Sequence, residues 1–333
     1  MKNKNFISFT ALSVLCLLLF VADLIFGNIS ISLRDIFSVF SGSGSNATHT
    51  EILLNYRLPK SLTAILTGSA LSVAGLLMQT FFRNPLADPY ILGISSGAGL
   101  GVALITMSGS FIPIFFIDSG WAFIFSAVFG ALLILLLVIG ASFKVKDTVS
   151  LLIVGIMFGT ISSSLISVLQ SHANPDTLKL YIIWTFGSLS AVTWDYMQVL
   201  FPVTFTGLLL AFYLQKDLDG LLLGENYARG LGISINRTRF LIILSTGLLA
   251  GSITAFTGPI AFVGVAVPHL SRGLFRSSSH HILLPACLLL GSSLLLICDI
   301  ITLIPVQALP INVVSSLIGA PVIIWIIIKR RKY

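Results

Sequence analysis

Side chains able to make or break bonds are scarce in this chain, and their spacing argues against a catalytic centre. Three cysteines, Cys16, Cys287 and Cys298, all fall inside apolar runs. None stands at a metal-ligand spacing, so they read as small packing residues and not as a disulfide framework. His269, beside Pro268, could hold a metal or a haem, but no second His or Cys lies at a ligand spacing from it, and His280-His281 fall in a loop. His269 therefore reads as a structural hydrogen-bonding residue, and no cofactor is implied. Asp299 lies near one end of an apolar run, where it is either a functional intramembrane carboxylate or a side chain that reaches water. There is no HExxH, no cluster of aspartates and no G-x-x-x-x-G-K-[ST] loop. An intramembrane enzyme thus lacks its constellation, and any ATP hydrolysis must come from another chain.

The polar residues that do stand out interrupt hydrocarbon. From Arg57 the chain reads RLPKSLTAILTGSALSVAGLLMQTFFRNPLADPYILGISSGAG. An apolar stretch, Leu62 to Leu77, carries Gly68, Ser69, Ser72 and Gly75. It is followed by Gln79, by Arg83-Asn84-Pro85-Leu86-Ala87-Asp88-Pro89, and by a second stretch opened by Gly93. Such a break leaves backbone N–H and C=O groups that only protein or a water-filled cavity can satisfy. The segment is expected to be one wall of a path, its small residues serving close helix packing or lining.

The elements that must position these residues follow from composition. The chain is 56% hydrophobic and 9% charged, against about a quarter charged in a soluble domain. Apolar runs of roughly 18–20 residues recur, each enough for a bilayer core of about 30 Å. The fold class is all-α and polytopic, one transmembrane domain over 1–333. Ten spans fit: 6–26, 61–80, 91–108, 121–142, 149–169, 195–214, 238–257, 260–275, 282–301 and 311–328. The first follows Lys2 and Lys4 like a signal peptide but is too long for one, and is read as retained. Leu180–Thr193 is too short to cross and is expected as an interfacial helix flanked by Trp184 and Trp194. With both termini in the cytoplasm, fifteen Lys and Arg fall inside and four outside, the bias the positive-inside rule demands. The basic residues lie in short loops, not on one surface, which argues against nucleic-acid binding. Spans two and seven both end in breaks and run in opposite directions, suggesting an inverted repeat. The longest inside loop, 216–239, is apolar and punctuated by Gly220, Gly224, Gly230 and Gly232, and is expected to form two short helices with a tight turn. A loop of that kind suggests a docking surface for another protein.

Several blocks together resemble the permease subunits of the type II ATP-binding-cassette importers for iron–siderophore, haem and cobalamin. They are Arg57-Leu58-Pro59-Lys60; Gly75 with Gln79; Arg83 to Pro89 with Leu92-Gly93; Trp184 to Leu189; Leu223-Gly224 with Ala228-Arg229 and Leu231-Gly232; Gly258 to Gly264 running to Pro268-His269-Leu270; and Ile318 to Pro321 with Trp325. The resemblance extends over most of the chain. It implies ten helices, pairing with a second copy or a close homologue, two ATPase subunits on the cytoplasmic face and a periplasmic or lipoprotein substrate-binding protein on the outer face of the inner membrane.

On the same resemblance, Arg57 and Lys60 are expected to dock the binding protein, their alternative being snorkelling flanks. Leu222, Leu223, Gly224, Glu225, Ala228, Arg229, Leu231 and Gly232 are expected to couple to the ATPases, although Glu225 and Arg229 could simply pair as i,i+4 neighbours. Gln79, Asn84, Pro85, Leu86, Thr148 and Ser150 are expected at the gate or pathway, within the breaks 84–86 and 146–150. Here Asp299 lacks the Arg that commonly follows it in the family, and no Glu precedes Leu309-Pro310, which shifts expected docking toward Arg57 and Lys60. The expected cargo is a ferric siderophore or related metal chelate, with cobalamin or haem as the alternative. An ion-coupled secondary transporter is a remote one, since carboxylates and histidines are sparse within the spans.

Overall fold

The computed structural model describes residues 2–27, 29, 31–41, 46–107, 120–145, 147–304 and 308–330. Lys146 and 305–307, which belong to a proposed gate turn and to the stretch after Asp299, lie outside the described residues. The fold is helical, with no strand among the described residues. In chain order the helices are α1 (Lys2–Ile25), α2 (Leu33–Ser41), α3 (Ala47–Phe81), α4 (Ile94–Met107), α5 (Gly120–Lys144), α6 (Thr148–His172), α7 (Pro175–Thr185), α8 (Trp194–Tyr213), α9 (Gln215–Leu222), α10 (Glu225–Gly230), α11 (Ile235–Thr257), α12 (Val263–Phe275), α13 (His280–Thr302) and α14 (Ile311–Arg330). Each of the ten expected spans is a helix. Seven are long and apolar enough to cross a membrane, while α4 and the apolar part of α14 are shorter. At 13 residues, α12 rises only about 20 Å, less than a bilayer core.

The predicted second span is the C-terminal part of a longer helix. Asn46 caps α3 by accepting the Thr48 N–H at 3.1 Å. Pro59 supplies no N–H to the helix, and α3 widens into a π-type turn over Ile52–Arg57 just before it. α3 runs through the centre of the molecule: 83% of its apolar window is buried, against 17% for α1 and 28% for α6. Its small residues make that possible. A Cβ on Gly68 would lie 2.1 Å from the Gly291 oxygen, and one on Gly75 1.9 Å from the Gly264 oxygen. Ser72 Oγ donates to Gly68 O and Cys287 O, both at 2.7 Å, so its hydroxyl glues α3 to α13. Gly68, Ser69, Ser72 and Gly75 are all buried. They pack α3 against its neighbours.

The two breaks meet. After α3, Arg83 turns with φ 47°, a 3-10 turn forms over Pro89–Leu92, and Gly93 (φ 78°) opens α4. After α11, Gly258 (φ 75°) and Phe262 (φ 69°) turn the chain into α12. The Tyr90 hydroxyl accepts from Thr254 Oγ1 at 3.2 Å and from the Ile260 N–H at 3.4 Å. Tyr90 of one break thus supplies a partner to the backbone of the other, as irregular backbone inside a helical membrane protein requires.

One predicted element moves. The short helix between spans five and six runs Pro175–Thr185, not Leu180–Thr193. Pro175 suits a first helical position, and Gly187 (φ 71°) ends the helix so that the Ser188 N–H reaches Thr257 O at 2.8 Å. Trp194 instead begins α8 and donates from Nε1 to Leu54 O at 2.8 Å.

Candidate functional site

At one end of the bundle, Arg57 and Lys60 are each only 7% exposed. Arg57 donates to Leu24 O and Ile25 O at 2.7 Å and also to Ile29 O. The Leu24 and Ile25 carbonyls end α1 and have no partner within the helix. Lys60 Nζ lies 2.7 Å from Asp299 Oδ2 and 4.0 Å from Asp23 Oδ1, and Ser61 Oγ donates to Asp23 Oδ2. Asp299 therefore neither reaches water nor stands alone: it belongs to a buried cluster joining α1, α3 and α13. Both basic side chains spend their donors on the chain itself and neither snorkels. Asp23 was legible as an ionisable residue inside the first apolar run, the signal that marks such positions.

At the other end of α3, Gln79 is buried at 3% exposure. Its Nε2 donates to Val265 O at 3.2 Å, and its Oε1 accepts from Arg272 Nη1 at 2.5 Å. Gln79 thus ties α3 to α12. Asn84 Oδ1 accepts the Leu86 N–H at 3.0 Å, and His269 Nε2 donates to Pro85 O at 2.8 Å. His269 thus joins α12 to the break after α3. Leu86 projects outward at 47% exposure. Asp88 accepts the Tyr90 N–H at 2.8 Å. Burial pushes its carboxyl up to about 6, with the Tyr90 N–H opposing.

The segment 216–239 folds as the expected pair of short helices. Gly224, with φ 113°, makes the turn between α9 and α10, a conformation that favours glycine. Leu222, Leu223, Tyr227 and Leu231 are exposed, forming an apolar surface with Arg229 and Gly232 beside it. Ala228 is fully buried and sets α10 against α9. Glu225 does not pair with Arg229. It lies 2.7 Å from Arg239 Nη2 on α11 and accepts from Thr148 Oγ1 at 3.2 Å. A tertiary partner 14 residues away displaces the i,i+4 one because Arg239 is buried at 5% exposure, and a buried charge left uncompensated is costly.

Thr148 opens α6, where Asp147 accepts the Ser150 N–H at 2.7 Å and the Ser150 hydroxyl at 2.8 Å. Those bonds, the backbone one first, hold the Asp147 carboxyl below its ordinary range. A cavity of about 820 Å³ opens here, lined by Phe81, Arg83, Thr148, Leu223, Glu225 and Tyr227 among others. The structure thus brings together three groups that the sequence placed far apart: the end of α3, the turn before α6 and the α9–α10 segment. Arg57 and Lys60 lie apart from them. Sequence reasoning missed Arg239, counted only as a loop charge, and Asp217, which accepts from Thr238 Oγ1 at 2.8 Å. It also missed a polar stripe on α6. Thr160, Ser164, Ser167 and Ser171 recur at helical spacing on an exposed face, each hydroxyl donating to a carbonyl of its own helix.

Comparison with known proteins gives the same architecture. Residues 15–329 match the family model described as the FecCD transport family. The chain is similar to the vitamin B12 import system permease protein BtuC of Klebsiella pneumoniae subsp. pneumoniae, 37% identical over 279 residues covering 83% of this chain and 82% of that one. It is 34% identical to BtuC of Shigella boydii serotype 18 over 99% of this chain and 98% of that one. It is 32% identical to the ABC transporter permease protein YvrB of Bacillus subtilis over 92% and 89%. Among solved structures, a metal-chelate type ABC transporter in an inward-facing conformation superposes with a TM-score of 0.85 at 28% identity, covering 96% of this chain and 98% of that one.

Proposed function

The chain belongs to the FecCD transport family and is a permease of the type II ATP-binding-cassette importer class, and from that premise we propose that it moves a large metal chelate across the inner membrane on ATP hydrolysed by separate subunits. The observation that carries the reading is Glu225, which joins the α9–α10 segment to both Thr148 and Arg239. An ATPase seated on the exposed Leu222, Leu223 and Leu231 would move a segment already bonded to the turn before α6. Thr148 and Ser150 on one side, and Asn84, Pro85 and Leu86 on the other, are the gate in this reading. The charge count puts this end and both termini in the cytoplasm.

The opposite end would receive a substrate-binding protein. Arg57 and Lys60 would serve docking from beneath, by holding the ends of α1, α3 and α13 in register. A second copy would cover the hydroxyl stripe of α6, and the cargo would pass between the copies. Two cargo readings have support. The BtuC relatives favour cobalamin. A ferric siderophore or haem is the second, supported by the motif resemblance and by the metal-chelate type of the structural relative.

The test is reconstitution in proteoliposomes with the ATPase subunits and the binding protein. ATP-dependent accumulation of radiolabelled cyanocobalamin, or of a radiolabelled ferric siderophore, is the expected result and names the cargo. Uptake that follows an imposed proton gradient without ATP, or ATP hydrolysis by the purified chain alone, would overturn the proposal.

A further inference from the structure

His280 is the first residue of α13, is 1% exposed and bonds through both ring nitrogens. Nδ1 lies 2.7 Å from Asp219 Oδ1 on α9, and Nε2 lies 2.8 Å from Thr80 Oγ1 on α3. Asp219 Oδ1 also accepts the His280 backbone N–H at 2.9 Å, and the other oxygen accepts from Ser279 Oγ at 3.4 Å. An ionised carboxylate only accepts, so Nδ1 carries the proton in this bond. Nε2, at 2.8 Å, is within hydrogen-bond distance of the Thr80 hydroxyl, so the ring bridges Thr80 and Asp219.

A satisfied buried histidine and a helix cap would explain the Asp219 bonds alone. They do not explain why the far nitrogen ends on Thr80. The Thr80 carbonyl accepts the Arg83 N–H at 3.2 Å, which fixes the residue where α3 breaks with φ 47°. The relay therefore starts on the segment expected to meet the ATPases and ends one residue past Gln79, at the turn leading to Asn84. Bonds of 2.7 and 2.8 Å have little slack, since such contacts weaken beyond about 3.2 Å. A shift of α9 by more than about half an ångström must either break the Asp219 bond or carry the ring along. The ring is enclosed, so carrying it moves Thr80 as well.

We propose that His280 is a positioning residue that transmits displacement of α9 to the end of α3, a second output of the segment besides the Glu225 link to α6. The proposal rests on the reading that the ATPases dock on 216–239, and its test separates the two. The full chain carrying Asn84→Cys is assembled with its ATPase subunits in lipid nanodiscs. Labelling by a membrane-impermeant maleimide is followed with and without ATP and vanadate. ATPase retention and the melting temperature are read for every variant.

Expected is an ATP-dependent change in labelling that Thr80→Val and Asp219→Ala each reduce about fivefold, the effect of one hydrogen bond. Thr80→Ser restores it. The double variant is no worse than the worse single, because both cut one chain, and in a His280→Phe background neither adds anything. Additive losses, or full response in Thr80→Val with the ATPases retained, overturn the relay alone. Loss of ATPase binding on disruption of Leu222 and Leu223 is required by the docking reading, and retention there would overturn that reading and the relay together. Thr80→Val keeps the shape of the side chain, so a normal melting temperature for it holds the result apart from misfolding.

Discussion

Lys60 holds two carboxylates, Asp23 and Asp299, that are 0% and 4% exposed. Removing one partner of a buried ion pair costs about 3–5 kcal/mol, because the other charge stays desolvated. Lys60→Met is therefore expected to lower the melting temperature of the detergent-purified chain sharply. Adding Asp299→Leu should recover part of the loss, since a neutral pair of similar volume removes the stranded charge. Equal melting temperatures for the parent and Lys60→Met would remove the cluster from any account of stability. The sequence showed Lys60 and Asp299 as the charges worth attention at this end, but not that they were partners. They are 239 positions apart, and only the packing of α3 on α13 brings them within 2.7 Å. Glu225 gives the same lesson. Its nearest opposite charge in sequence was Arg229, and burial of Arg239 redirected it.

At the scale of elements, α3 is an axle fitted by glycine. Its contact with α12 is backbone to backbone, with the Gly75 Cα facing the Gly264 oxygen. Gly75→Ala forces backbone apart and is expected to destabilise by about 3 kcal/mol or more, the upper range for overpacking. Gly140→Ala in α5, where an added methyl meets nothing within 4 Å, should be neutral or stabilising by up to about 1 kcal/mol. The check is the melting temperature of both variants side by side, and equal behaviour of the two would sink the close-packing account. Hydrophobic runs, prolines and glycines made nearly every helix readable, because those are local constraints on the chain. The short helix before α8 differs from the expected bounds because its end depends on the Ser188 N–H reaching Thr257 O, a contact no local pattern records.

At the scale of the molecule, α6 offers an incomplete surface. Only 28% of its apolar window is buried, and Thr160, Ser164, Ser167 and Ser171 share its open face. Their hydroxyls are satisfied by their own carbonyls, so the stripe can border either another helix or water at small cost. The expectation is a second copy of the chain against this face. Ser164→Cys should form an intermolecular disulfide under mild oxidation in native membranes, while Phe129→Cys on the exposed face of α5 should not. A monomer in both cases would mean that the path is not built between copies.

The sequence by itself determined the class of molecule, nearly all of the helices, the positions of the two breaks and the resemblance to importer permeases. Each of these follows from hydrophobicity, chain geometry or motif, which act on neighbouring residues. Tertiary structure alone decided what surrounds the breaks. The small residues between Leu62 and Leu77 read as packing or lining, and tertiary structure sets them in the buried centre of the bundle. Tertiary structure also turned Arg57 and Lys60 inward, set Glu225 on Arg239 and Thr148, and threaded His280 between Asp219 and Thr80. The physical reason is the same in each case. A buried charge or polar group must find a partner, and which partner is available depends on which helices lie side by side.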